Sequence, residues 1–384
     1  MNRTPQLIVV TLMPPQGTTG VQTHFNQILK AAVGLGFQTS IAHPFDFNHL
    51  ARKAVGLITR LLRPISKEYV ELWVYWAHYQ ILKHKLRRTL SAIKGPVILY
   101  AQDPLSAKAA LAARTDKKSQ RVAAVVHFNI SEADEYLMKG ITKHNSCLNN
   151  TLVNTEKATL PRVDKLFFVS QFMQSIVQNR LPETKTNPNV VIPNFIADLA
   201  ETSPTAALKG DIISVGTLEP RKNQAFILKV LATCKARGYV YRLTIIGDGQ
   251  DRDALEHSAH ELGLAEQVTF LGFRPNPLDY MSSHKVYAHA ALMENMPITL
   301  MEALSMGLPI LAAPVGGIPE VFTDGKEGFY WPLDNIEAAA DKLSELLENK
   351  ALYTDMSQNA RSRFVHYFSK PVLASKWLDE ILSS

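Results

Sequence analysis

Two adjacent cations, Arg221 and Lys222, follow the apolar run IISV and a turn that opens on Gly216. A glycine at a strand end lets a ligand reach the backbone, and two cations beyond the turn suit a diphosphate. They would stabilise the negative charge such a group gathers as it departs, each charge-assisted contact contributing about 1.5–3 kcal/mol. The same pair at a helix start opposes the helix dipole by roughly a few tenths of a kcal/mol. That placement implies a compensating anion.

A second constellation lies in AHAALMENMPITLMEAL, where Glu294 and Glu302 stand one helical stretch apart. Glu294 falls on a loop after a strand-like run, and Pro297 suits the first position of the helix that follows. The amides of Ile298, Thr299 and Leu300 are then unpaired donors at a helix N-terminus, a ready phosphate site. Glu302, about one turn further in, offers two acceptor oxygens to a ribose. Taken alone, both glutamates also read as ordinary solvated residues.

The remaining signals are weaker. Gly247-Asp248-Gly249 closes a strand with a tight turn of a kind that is often only structural. Asp251 and Asp253 have the spacing of a metal-binding pair, but acidic residues are expected in a helix's first turn anyway, so no metal is expected. Gly17 and Gly20, in GTTGVQTH, open a helix without completing a dinucleotide or P-loop fingerprint. His127 ends the run VAAVVH, where a lone histidine reads equally as structural or functional.

Strand-like runs carry these residues. In the first half they fall at 7–12, 97–100, 122–127, 166–169 and 190–192, and in the second at 212–215, 243–246, 268–271, 286–289 and 310–312. Helical stretches follow most of them. The alternation predicts parallel α/β layers, which take ligands outside the carboxyl ends of their strands. With 384 residues, two domains are expected. A Ser/Thr/Ala/Pro-rich hinge over 198–210 would separate a first domain, 1–197, from a second, 211–369. An amphipathic helix within 370–384 has no partner strand and is expected to cross back onto the first domain.

Composition narrows the class. Hydrophobic residues make up 46% and charged residues 20%, the balance of an ordinary globular chain. Cys147 and Cys234 are too few and too isolated for a disulfide framework or a structural zinc, which fits a reducing compartment. The apolar run before Pro14-Pro15 is too short for a signal peptide. No stretch approaches the roughly 20 apolar residues of a spanning helix. A cytoplasmic protein is expected, soluble or on a membrane surface.

Together these segments resemble the retaining "glycosyl transferases, group 1" family. The likeness rests on VGTLEPRKN, TIIGDGQDRDALE, VTFLGF, the Glu294/Glu302 pair with its helix, LSMGLPILAAPVGGIPEVF and DGKEGFYW, and more thinly on GTTGVQTHF, the His127 strand, FFVSQFM and VIPNF. The resemblance implies a GT-B fold of two Rossmann-like domains facing a central cleft. It implies a UDP- or GDP-linked sugar donor on the second domain, a glycan acceptor on the first, retention at the anomeric carbon, and no metal or other cofactor. By the same resemblance, Arg221 and Lys222 hold the diphosphate, Glu302 the ribose, and Glu294 the sugar near its reacting face. The backbone at Phe273 and Arg274 meets the base, His127 the sugar hydroxyls, and Gly20, Gly216 and Gly247 allow close approach. Two positions depart from the family pattern. Asn295-Met296-Pro297 replaces Gly-Phe-Pro after the first glutamate, where the loop would meet the donor sugar, and Thr217 stands where many members have arginine.

The formal charge is +6, from 41 basic and 35 acidic residues. Ten Lys/Arg between Arg52 and Lys94, against Glu68 and Glu71, carry +8 of it. Trp73, Trp76 and Tyr79 interleave with these cations, a composition that suits an anionic membrane interface over 50–94 and, with it, a lipid-linked acceptor. The alternative is a solvated basic face over packed aromatics. No nucleic-acid-binding module accompanies the cations. Competing functions are a non-catalytic glycosyltransferase-like partner or scaffold, and an epimerase or phosphorylase-like enzyme.

Overall fold

The computed structural model describes residues 5–17, 19–46, 49–198 and 210–383. Its contacts divide the chain into two units, Met1–Pro193 with Ala374–Ser384, and Asn194–Leu373.

The first unit begins β1 (Gln6–Val10), α1 (Gly20–Gly34), β2 (Thr39–Ala42), α2 (His49–Leu62) and α3 (Lys67–Ala92). It continues β3 (Val97–Ala101), α4 (Pro104–Ala113), β4 (Gln120–Val126), α5 (Glu132–Met138) and α6 (Cys147–Thr159). It then runs β5 (Lys165–Phe168), α7 (Gln171–Arg180) and β6 (Asn189–Val191). The six strands pair in parallel in the order β2-β1-β3-β4-β5-β6. Strands β3 and β5 are buried along their whole length, as strands covered on both faces must be. Side-chain caps set the helix starts. Thr19 forms a reciprocal capping box with Gln22, and Asp103, Ser131, Ser146 and Ser170 each accept an amide hydrogen bond from the first turn they precede.

The second unit runs β7 (Ile212–Val215), α8 (Gln224–Ala236), β8 (Leu243–Ile246), α9 (Arg252–Glu261), β9 (Val268–Gly272) and α10 (Leu278–Met281). Next come β10 (Val286–His289), α11 (Ile298–Ser305), β11 (Ile310–Ala312), α12 (Ile318–Val321) and β12 (Gly328–Tyr330). The helices α13 (Ile336–Glu348), α14 (Lys350–Tyr367) and α15 (Lys370–Leu382) close the chain. Its sheet is also parallel, ordered β12-β11-β10-β7-β8-β9. Trp331, fully buried, packs edge-on against Phe226 of α8 in this unit's core.

Residues 199–209, most of the expected hinge, lie outside the described residues. The second unit starts at Asn194 rather than at 211, because three contacts tie the preceding segment to it. Asn194 donates to the Met296 carbonyl at 3.3 Å, Ile196 bridges Ser369, and Asp198 pairs with Arg361. From Ala374 onward, α15 belongs to the first unit. Trp377 stacks on Phe167 with ring centroids 5.3 Å apart and donates to the Pro193 carbonyl at 2.9 Å, while Lys165 pairs with Glu380. Among the described residues, no helix is long and apolar enough to cross a membrane.

Candidate functional site

The order of the second sheet reverses between β7 and β10, the switch point at which open parallel sheets bind ligands. At its carboxyl end β7 leads into Gly216, and β10 ends on His289. The chain after Gly216 is held by backbone bonds to the neighbouring loop. Gly216 donates to the Ile246 carbonyl at 2.9 Å and Leu218 to that of Asp248 at 3.0 Å. Gly247, with φ +142°, follows β8 and lies so close that a Cβ there would sit 1.8 Å from the Gly216 carbonyl oxygen. Only glycine fits.

A tight turn over Pro220–Lys222 carries the two cations, and Asn223 in the left-handed region starts α8. Lys222 Nζ donates to Glu294 Oε1. Arg221 Nη1 lies 3.2 Å from the same oxygen and donates to the Met293 carbonyl at 2.9 Å, while its Nη2 donates to Glu219 at 2.7 Å. His289 Nε2 stands 3.3 Å from Glu294 Oε1. The compensating anion implied by the cation pair is therefore Glu294, helped by Glu219.

Electrostatics follow from that packing. Burial alone would raise the Glu294 pKa, but Lys222, His289 and Arg221 outweigh it and hold the carboxylate well below its usual range. Burial lowers His289, in spite of the pull of Glu294. Two cations then face two carboxylates, Glu219 and Glu294, with no net charge among them. Glu302, in α11, is pushed up to about 7 by burial. Tyr287 lies between β7 and this helix: its hydroxyl donates to the Val215 carbonyl at 3.1 Å and bonds the Thr299 side chain.

Pro297 is the cap of α11, not its first residue. Its backbone is extended (φ −70°, ψ 121°), so the helix starts at Ile298. The Leu300 amide, expected to be unpaired, donates to the Pro297 carbonyl at 3.2 Å. Ile298 and Thr299 are left with amides that no described residue accepts. Gly316, at φ +59°, packs on the loop from behind, where a Cβ would sit 1.8 Å from the Glu294 carbonyl oxygen.

Arg221, Lys222 and Glu294 thus share one network beside Gly216 and Gly247. Phe273 and Arg274 follow β9, whose last residue, Gly272, accepts the Gly247 amide at 3.0 Å. Phe273 is 59% exposed. Asp251 precedes α9 and Asp253 sits in its first turn. Among the described residues, no group of three or more His, Cys, Asp or Glu side chains could hold a metal. Sequence reasoning missed His289 and Glu219. A histidine closing a fully buried strand, a few residues before a singled-out glutamate, was the available signal for the first.

The first unit holds the other two candidates. Its order reverses between β1 and β3, and Gly20 is the first residue of α1, just after β1. His127 follows β4, with Nε2 3.2 Å from Gln102 Oε1 and its ring 4.8 Å from that of His24. Burial, and the neighbouring His24, hold His127 well below the usual histidine range. His24 in turn shares a 2.8 Å hydrogen bond with the Tyr100 hydroxyl and packs edge-on against Trp377.

The sequence model of the glycosyl transferases group 1 matches residues 201–363, and that of glycosyltransferase family 4 matches residues 18–198. Glycosyltransferase models thus match both halves of the chain, the group 1 model over its second half. A Haemophilus influenzae protein named as an uncharacterized glycosyltransferase is 26% identical over 220 residues, 55% of this chain and 60% of that protein. A Campylobacter jejuni relative is 29% identical over 217 residues, 51% of this chain and 59% of the relative. Its name is N-acetylgalactosamine-N,N'-diacetylbacillosaminyl-diphospho-undecaprenol 4-alpha-N-acetylgalactosaminyltransferase. The match therefore spans about 60% of the length of these two relatives. Among solved structures, Anabaena HepE in complex with UDP-glucose superimposes with a TM-score of 0.72 at 18% identity, covering 98% of this chain and all of that one. The fold is GT-B, with two parallel six-stranded sheets flanked by helices.

Proposed function

We propose that the protein is a glycosyltransferase that moves a hexose or N-acetylhexosamine from a UDP- or GDP-linked sugar to a glycan acceptor. In this reading the acceptor is lipid-linked, the anomeric configuration is retained, no metal is essential, and the product feeds a surface polysaccharide or glycolipid. The observation that carries it is the Lys222–Glu294–Arg221 network at the switch point of the second sheet. Lys222 and Arg221 receive the charge that builds on the diphosphate as its bond to the anomeric carbon lengthens. One preorganised donor at such a position is worth about 10²–10³ in rate. Glu294, held ionised, accepts hydrogen bonds from sugar hydroxyls near the reacting carbon. The free amides of Ile298 and Thr299 meet a phosphate, Glu302 the ribose, and the Phe273–Arg274 backbone the base.

The first unit is assigned the acceptor. Neutral His127 hydrogen-bonds a donor-sugar hydroxyl, and Gly20 keeps the start of α1 clear for the diphosphate. The acceptor oxygen bonds the anomeric carbon on the face the diphosphate leaves, and its proton passes to the departing phosphate oxygen. Two similar proteins support the substrates: the Campylobacter relative's name includes a diphospho-undecaprenol, and the Anabaena structure contains UDP-glucose. The α2–α3 pair supports work at the inner face of a membrane. Leu57, Leu61, Ile65, Tyr69 and Trp76 are exposed there among the exposed cations Lys53, Arg60, Arg63 and Lys67.

The test is a thermal-shift screen of the purified chain with UDP-, GDP- and ADP-sugars, followed by donor hydrolysis without acceptor. One nucleotide sugar should raise the melting temperature, since a ligand of the folded state stabilises by mass action, and should be slowly hydrolysed. A protein that neither binds nor hydrolyses any of them is a scaffold, and the proposal fails.

A further inference from the structure

The helices α2, α3, α4 and α6 of the first unit surround a cavity of about 620 Å³ that opens to the surface. Its size is that of a small-molecule site, about 300–1,000 Å³, yet its wall is almost wholly apolar. Tyr69, Trp73, Trp76 and Tyr79 line it from α3, and Leu105 with Lys108 from α4. Trp73 and Trp76 stack with ring centroids 5.3 Å apart, and the Trp73 indole N–H is used on the Val55 carbonyl at 3.4 Å. Tyr69 and Trp76 remain more than half exposed.

One end of this cavity is cationic. Lys83 Nζ and Lys108 Nζ stand 5.0 and 5.4 Å from the centroid of the Tyr79 ring. Lys108 also donates to Thr155 Oγ1 at 3.4 Å. Among the described residues neither ammonium pairs with a carboxylate. A buried peptide segment would bring backbone amides that this wall cannot satisfy, whereas a hydrocarbon chain brings none. Two ammoniums beside an apolar hollow complement an anion attached to such a chain.

We propose that this cavity binds the hydrocarbon chain of a phosphorylated lipid, with its phosphate on Lys83 and Lys108. The inference deepens the lipid-linked acceptor reading above. It gives α3 a role in choosing the acceptor, since a free glycan lacks the chain that fills the hollow. The row of exposed Leu57, Leu61 and Ile65 leads from α2 toward the same helix and would keep a lipid in a bilayer within reach.

Calorimetric titration of the full chain with farnesyl phosphate, farnesol and inorganic phosphate tests it. Farnesyl phosphate should bind, farnesol more weakly, and inorganic phosphate should not compete. Thr151→Phe, which fills the hollow, should abolish binding, and Trp76→Ala, which opens its mouth, should weaken it by about tenfold. Lys108→Gln should weaken farnesyl phosphate by about tenfold and leave farnesol unchanged. Equal affinity in wild type and in folded Thr151→Phe and Trp76→Ala overturns the proposal, as does full competition by inorganic phosphate. Donor hydrolysis without farnesyl phosphate binding defeats this inference alone. Farnesyl phosphate binding without turnover of any donor defeats the transferase reading instead.

Discussion

Gly316→Ala should disable the site through Glu294 while touching no ligand. Gly316 has φ +59°, and a Cβ built on it would meet the Glu294 carbonyl oxygen at 1.8 Å and its carbon at 2.9 Å. Real Cβ contacts do not fall below 3.0 Å, so the Glu294 backbone must retreat by about 1 Å (3.0 minus 1.8). The same oxygen accepts the Gly317 amide at 3.0 Å, a bond that the retreat breaks. Glu294 then leaves Lys222, and a misplacement of about 1 Å in a reacting geometry costs on the order of 10²-fold in rate. Left-handed backbone alone costs a non-glycine residue about 1–2 kcal/mol, and Gly325→Ala isolates that cost. Gly325 has φ +77° with nothing within 4 Å of its added Cβ. Both variants should melt earlier, but only Gly316→Ala should lose donor turnover, measured as nucleotide release from the sugar donor under saturating conditions. If the two variants turn over alike, the loop is not positioned by Gly316 and the reasoning is wrong.

Lys222→Ala should lower turnover by about 10²-fold, and nucleotide release at near-native rate would remove Lys222 from the mechanism. Glu294 has a depressed pKa, so its stabilisation is present above the ordinary 4.5 and is lost as pH falls below it. Calorimetry of wild type should show stability falling below pH 4.5, and Glu294→Gln should flatten that limb. Glu302 shifts the other way: its carboxyl, raised from 4.5 to about 7, makes the folded protein lose stability as pH rises through that window. If its ionised form holds the ribose, nucleotide affinity rises as pH climbs through about 7, an increase that Glu302→Gln should lack in titrations on either side of neutrality. Trp377→Ala should cost about 3–5 kcal/mol in urea denaturation, because the indole is fully buried, stacks on Phe167 and bonds the Pro193 carbonyl.

The buried strands were legible because their register leaves no polar face. The runs VILYA and LTII are apolar but for Thr244, are buried along their whole length, and are followed by Gln102 and Gly247. Strands β2 and β12 escaped notice for the opposite reason. Both lie at a sheet edge, run three or four residues and are only partly buried, so a period of two has too few residues to declare itself. The cap at Pro297 was misjudged by one position, since Pro is compatible with both the cap and the first helical residue and only the backbone angles choose.

The site divides along the same line. That Arg221 and Lys222 need an anion follows from a local rule about helix starts, and the sequence supports it without any topology. Which anion answers is a tertiary fact, because Glu294 lies 72 residues away and arrives through the pairing of β7 with β10. The consequence reaches the chemistry. Lys222 and Arg221 are not idle positive charges awaiting a ligand, for they are balanced by Glu294 and Glu219. Under the proposed function, a diphosphate entering here would meet a preorganised but electrically neutral cluster, with the unaccepted amides at the start of α11 as its uncommitted donors. Binding then gains little from net charge. In the proposed reaction, stabilisation would grow mainly as charge moves onto the departing phosphate, when the fixed cations would hold a more highly charged group than before. An arrangement of that kind favours the transition state over the bound donor.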